Sequence, residues 1–155
     1  MLEVGSPAPE FELRDQHGRL QRLADRRGHP ALVVFYPMAF TGVCTGEIRA
    51  LQDCAEQWRE RETDVVAISC DSVAALRAFA EEQHLDITLL SDFWPHGAVA
   101  SSYGVFDETL GIATRGSFII DEAGIVQWTV HHQIPDARNV EDYLEAIDAL
   151  AKEIA

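Results

Sequence analysis

Cys44 closes the run Pro37-Met-Ala-Phe-Thr41-Gly-Val-Cys44, and it is the residue of this chain best placed for chemistry. The continuously apolar residues 31–36 precede that run and an amphipathic pattern follows it. A buried strand therefore ends, a short loop turns, and a thiol arrives in the first turn of a helix starting near Thr41. A thiol at such a place faces unpaired backbone N–H groups and the positive end of a helix dipole, and both favour the anionic sulfur. That sulfur is a nucleophile. Thr41 is a helix N-cap residue by type, and Pro37 is a natural strand terminator.

Other side chains stand as weaker candidates. Glu47, three residues past Cys44, is either an acid favoured by the helix dipole or a hydrogen-bonding carboxylate in the pocket. Phe40, Val43, Phe93 and Trp94 supply apolar surface, for a pocket rim, an interface or the core. His131 and His132 are adjacent, so in a strand they point to opposite faces, and no cysteine or carboxylate completes a ligand set. No metal site is expected, and His96 reads as structural. The segment Cys44-Thr-Gly-Glu47 is not a C-x-x-C pair, so dithiol–disulfide exchange lacks its second thiol.

These residues must be carried by a chain of 155 residues, 47% apolar and 25% charged, which fits one soluble globular domain over residues 1–155. Its net charge of −14 argues against nucleic acid and anionic membrane surfaces, both of which would repel it. The segment Met1-Leu-Glu-Val-Gly-Ser-Pro has neither the basic nor the apolar region of a signal peptide. Cys44, Cys54 and Cys70 are too few, and odd in number, for a secreted disulfide framework. A reducing cytoplasm is the expected compartment.

Periodicity supplies the elements. A hairpin is expected within residues 8–28, turning at Gln16-His-Gly-Arg19. One amphipathic helix is expected over 41–61, with Ile48, Leu51, Ala55 and Trp58 inward. Residues 65–69 and 87–90 read as buried strands, and 73–83 as a helix capped by Asp71-Ser72. A short helix over 98–103, a hairpin of 116–121 with 125–128, and a helix from Asn139 complete the chain. Strands alternating with helices, then a hairpin and a closing helix, predict an α/β three-layer sandwich with a central mixed sheet. Ligands bind such sheets beyond the carboxyl ends of the parallel strands, the edge that Cys44 and Cys70 share.

The run P-x-x-x-T-x-x-C resembles the signature of peroxiredoxins. Ala67-Ile-Ser-Cys-Asp-Ser72, Tyr103-Gly-Val-Phe106 and Arg115-Gly-Ser-Phe-Ile-Ile-Asp121 agree with it, and Leu90-Ser-Asp-Phe-Trp-Pro-His-Gly97 is most similar to the alkyl hydroperoxidase E subfamily of actinobacteria. The resemblance implies a thioredoxin-like fold, thiol-dependent peroxidase activity without metal or organic cofactor, and a homodimer. By motif, Cys44 resembles the peroxidatic cysteine, Thr41 the hydroxyl contacting thiolate and peroxide, Pro37 the shield of the site and Arg115 its arginine. The implied reaction turns a hydroperoxide into water or an alcohol and leaves a sulfenic acid on Cys44.

An external thiol is the expected resolver: a low-molecular-weight thiol, or a mycoredoxin- or thioredoxin-type protein. Cys70, beyond a neighbouring strand, is the second choice. Cys54 lies ten residues along the predicted helix, about 15 Å of rise, too far for a disulfide without local unfolding. The resolving position of Q-type members, five residues on, holds Arg49. A redox sensor or holdase using the same cysteine is the alternative function.

Overall fold

The computed structural model describes residues 1–154, in which fourteen strands and α-helices and one short 3-10 helix follow one another. The chain enters with β1 (Glu12–Asp15), β2 (Leu20–Arg22) and the 3-10 turn Leu23–Arg26. Then come β3 (Ala31–Phe35), α1 (Gly42–Asp53), α2 (Ala55–Glu60), β4 (Asp64–Ser69), α3 (Val73–Gln83) and β5 (Thr88–Ser91). The second half holds α4 (Ala98–Ser102), β6 (Phe106–Asp107), β7 (Ile112–Ala113), β8 (Arg115–Ile120), β9 (Val126–His132) and α5 (Val140–Ile154).

Seven strands form one sheet in the order β2-β1-β5-β4-β3-β8-β9, with β3, β4 and β5 parallel and the remaining pairs antiparallel. Parallel neighbours need crossover helices, and two right-handed crossovers stepping the same way put their helices on one face. Side chains of α1, α2 and α3 accordingly share a core with Leu32, Val34, Tyr36, Ala67, Leu89 and Ile119, and α5 joins them through Tyr143 and Ile147. The next residue along each strand points the other way. Val33, Phe35, Val66, Ile68 and Phe118 therefore pack with Phe11, Leu13, Ala100 and Tyr103 on the opposite face. This is the α/β three-layer sandwich with a mixed central sheet. No helix among the described residues is long and apolar enough to cross a membrane.

Three details differ from the sequence reading. The helix expected over 41–61 is two helices, broken at Cys54 (φ −95°, ψ 15°). The carbonyl of Leu51 is taken by the indole N–H of Trp58 at 2.8 Å and by the Cys54 N–H at 3.3 Å, which tightens the chain there. Strand β9 runs on to His132, beyond the expected 128, because it pairs with β8 as far as Arg115. The two-residue strands β6 and β7 had no periodicity to announce them.

Candidate active site

Strand β3 ends at Phe35, and residues 36–41 turn across the carboxyl edge of the sheet into α1. The turn is held from beneath. The Asp71 carboxylate accepts the Ala39 N–H at 2.9 Å and the Ser69 hydroxyl at 2.6 Å, which ties the loop to the end of β4. Phe40 takes φ +68°, a left-handed backbone that side chains rarely adopt, and stacks edge-on against Phe79 with centroids 5.2 Å apart. Its ring is half exposed, and Val43 beside it is exposed too. Pro37 is buried at the start of the turn.

Thr41 occupies the N-cap position of α1 (φ −91°, ψ 151°), but its hydroxyl does not cap. It donates instead to the Met38 carbonyl at 2.8 Å. The Thr45 N–H bonds the Thr41 carbonyl at 2.8 Å, so the N–H groups of Gly42, Val43 and Cys44 lie outside the helix's own ladder. No acidic residue shares that first turn. Cys44 is its third residue and is fully buried, so a sulfur at the positive end of a twelve-residue helix has no competing anion within the turn.

Glu47 stands one turn further on, about 4.5 Å along the helix axis from Cys44. It is past the first turn, so its carboxylate serves neither as a cap nor as a dipole-favouring acid. It is buried and gripped by two guanidinium groups. Arg115 donates from Nη1 to Oε1, while Arg138 donates from Nε to Oε2 at 2.8 Å, from Nη2 to Oε1 at 3.0 Å and from its backbone N–H to Oε2 at 2.6 Å. Burial alone would raise the Glu47 carboxyl, but the hydrogen bonds and charge of Arg138, and then the charge of Arg115, hold it below the ordinary range.

Arg115 is buried as the first residue of β8, and its Nε donates to the Ile134 carbonyl at 2.5 Å. Two of its five donors are thus engaged, which leaves three for other acceptors. Arg138 also donates from Nη1 to the Gly116 carbonyl and to Ser117 Oγ, each at 2.9 Å. Two cations on one carboxylate leave a net positive centre next to the helix start. Such a centre stabilises negative charge that develops within its reach.

Arg138 was missed by the sequence reading, although a signal existed. Arg115 and Arg138 are the only Lys or Arg between residues 78 and 151, and both end on Glu47. Tyr36 brings a buried hydroxyl near Ser69, Asp71 and Cys44, and burial raises its ionisation far above the ordinary tyrosine value.

The remaining candidates lie elsewhere. Cys70 follows β4 on the sheet face opposite α1, beside Ala113 and Asp92; burial first, then the charge of Asp92, pushes its thiol up to about 12. Cys44 belongs to the core on the α1 face, whereas Ala113, beside Cys70, belongs to the opposite one. Cys54 sits at the break between α1 and α2, and all three cysteines are free thiols. Trp94 is 80% exposed on a turn that packs, through His96, on the β6–β7 hairpin, with His96 Nε2 at 2.6 Å from the Gly111 carbonyl. Its exposure removes Trp94 from the core, which leaves a pocket rim or an interface. His131 bonds Thr114 Oγ1 at 3.0 Å and His132 approaches the Ala137 carbonyl at 3.2 Å. No group of three or more His, Cys, Asp or Glu among the described residues is placed to hold a metal ion.

A thioredoxin-like sandwich with a cysteine at this helix start and, one turn on, a carboxylate holding a buried arginine defines the peroxiredoxin class. The AhpC/TSA family model matches residues 4–129, and the chain belongs to that family. Alkyl hydroperoxide reductase E of Mycobacterium tuberculosis is 41% identical over 151 residues, covering 97% of this chain and 99% of that protein. Among solved structures, peroxidoxin BcpB of M. tuberculosis superposes with a TM-score of 0.87 at 31% identity, over 96% of this chain and 98% of that one. The reduced 2-Cys peroxiredoxin of Plasmodium vivax gives 0.89 at 27% identity, over 98% and 83%. The chain is a thiol-dependent peroxidase.

Proposed function

We propose that Cys44 is the peroxidatic residue, reducing hydrogen peroxide and organic hydroperoxides. The observation that carries this is its place: a buried sulfur in an uncapped helix start, one turn from a carboxylate that anchors Arg115. The sulfur attacks one peroxide oxygen, an S–O bond forms, and the O–O bond breaks. Two electrons pass from sulfur to the departing oxygen, which takes a proton and leaves as water or alcohol. Arg115 and the Val43 and Cys44 N–H groups meet that developing charge, and the Thr41 hydroxyl joins them by turning its one hydrogen away from the Met38 carbonyl. The half-exposed Phe40 and exposed Val43 give the mouth an apolar side, which suits organic substrates. Pro37 shields the sulfur from bulk water.

An outside thiol then attacks the sulfenic sulfur and releases water; a second thiol frees Cys44 and leaves as a disulfide. The supporting facts are that Cys70 is on the other sheet face and held as a thiol, and that Cys54 lies beyond the end of α1. The cytoplasm is the proposed compartment. The exposed Phe93 and Trp94 are proposed to meet a second copy of the chain in a homodimer, read out by sedimentation of wild type and Trp94→Glu.

The deciding experiment adds one equivalent of hydroperoxide to the reduced protein with dimedone, followed by intact mass and peptide mapping. A dimedone adduct on Cys44, absent from Cys44→Ser together with peroxide consumption, supports the proposal. Loss of two hydrogens mapped to a Cys44–Cys70 disulfide would replace the external thiol with an internal one, and full-rate turnover by Cys44→Ser would end the reading.

A further inference from the structure

The Glu47–arginine cluster does not end at Arg138. The Nη1 of Arg138 donates to Ser117 Oγ at 2.9 Å, and Ser117 Oγ lies 2.7 Å from the hydroxyl of Tyr143. Ser117 is fully buried on β8, and Tyr143 is buried on the first turn of α5, its ring edge-on to Trp128 with centroids 5.8 Å apart. Arg138 itself sits in the segment between β9 and α5, with no regular element of its own to fix it. Its guanidinium is aimed by what it touches: Glu47 on one side, the Gly116 carbonyl and the Ser117 hydroxyl on the other.

We propose that the Ser117–Tyr143 hydroxyl pair is a positioning device for the active site, through which the C-terminal helix sets Arg138, Arg138 sets Glu47, and Glu47 sets Arg115 beside Cys44. The inference rests on the reading of Cys44 and Arg115 given above.

Hydrogen-bond chemistry gives the chain its direction. Guanidinium nitrogens only donate, so Ser117 Oγ accepts from Arg138 and is left with one hydrogen and one further lone pair for Tyr143. Burial raises the ionisation of the Tyr143 hydroxyl, with the charge of Arg138 opposing, so the partner on α5 is a neutral hydroxyl. Both hydroxyls are buried; removing Tyr143 Oη takes a partner from Ser117 Oγ, and removing Ser117 Oγ takes one from Tyr143 and one of the two Nη1 acceptors of Arg138, leaving the Gly116 carbonyl. The guanidinium then relaxes toward another acceptor and loosens its grip on Glu47. Neither Ser117 nor Tyr143 touches sulfur or peroxide; they act through Arg138.

Tyr143→Phe deletes the hydroxyl and keeps the ring against Trp128. Ser117→Ala deletes the other end, so a folding defect in one variant does not silence the test. Two rate constants are measured per folded molecule for each: peroxide reduction by stopped flow, and Cys44 alkylation by neutral iodoacetamide, which has no departing peroxide oxygen for Arg115 to meet. Loss of one buried hydrogen bond predicts about a fivefold fall in the peroxide rate constant. Alkylation should change less than about twofold, and the double variant should be no slower than either single one. If wild type reduces peroxide and both variants match it, or both rates fall together as a loosened structure would require, the positioning role is wrong and the peroxidase reading stands. If wild type itself fails to reduce peroxide, both fall.

Discussion

Arg138 places three hydrogen bonds on the single carboxylate of Glu47, at 2.6, 2.8 and 3.0 Å, although the two residues are ninety-one positions apart. A backbone N–H and two guanidinium nitrogens therefore converge on one acid, with Arg115 reaching the same group from β8. Charge on Glu47 is what lets two buried cations coexist.

Replacing that charge should be costly. Glu47→Gln leaves Arg115 and Arg138 buried without a counter-ion, a loss on the order of 3–5 kcal/mol. Urea unfolding of the variant should show it, and peroxide reduction should slow at least tenfold because Arg115 loses its anchor. A variant as stable and as fast as wild type would remove the cluster from the account.

The same acid sets an acid limit. Its folded ionisation lies below the ordinary carboxylate value of 4.5, so the unfolded chain takes up the proton first. The stabilisation is complete above pH 4.5 and drains as pH falls from there through the lowered folded value. The stability gap between wild type and Glu47→Gln should therefore narrow on acidification. A gap that held constant down to strongly acid pH would contradict the assignment.

Alkylation should separate the thiols. Cys70, pushed up to about 12 by burial and by Asp92, stays protonated at pH 8 and should be unlabelled by iodoacetamide while Cys44 reacts. Peptide mapping after a timed pulse gives the answer, and prompt labelling of Cys70 in the folded protein would overturn it.

Asp71 holds the loop that presents Thr41, through the Ala39 N–H and the Ser69 hydroxyl. In Asp71→Ala the peroxide rate should drop roughly tenfold, since about 1.4 kcal/mol of loop positioning is lost. Asp71→Asn keeps an acceptor oxygen and should recover most of the rate. Equal losses in the two variants would mean that charge, not loop geometry, is the contribution of Asp71.

Residues 31–36 and Cys44 were legible because strand, loop and helix start are neighbours in sequence, where periodicity and caps speak. The break at Cys54 was not, because Trp58 competes for the Leu51 carbonyl through a contact seven residues long that apolar spacing does not encode. Arg138 was hidden for a stronger reason. It lies in an irregular segment, and only the folded sheet brings that segment to α1. The exposure of Trp94 was not legible either, because an aromatic in an irregular turn has no periodicity to say whether it faces the core or the solvent.

The two arginines on one carboxylate also invert the molecule's electrical character at a single buried point. The chain carries a net charge of −14, yet at Glu47, one turn along α1 from Cys44, two cations meet one acid. A net negative protein repels anions at long range and leaves uncharged molecules unhindered, while the positive charge that Glu47 does not cancel stays buried.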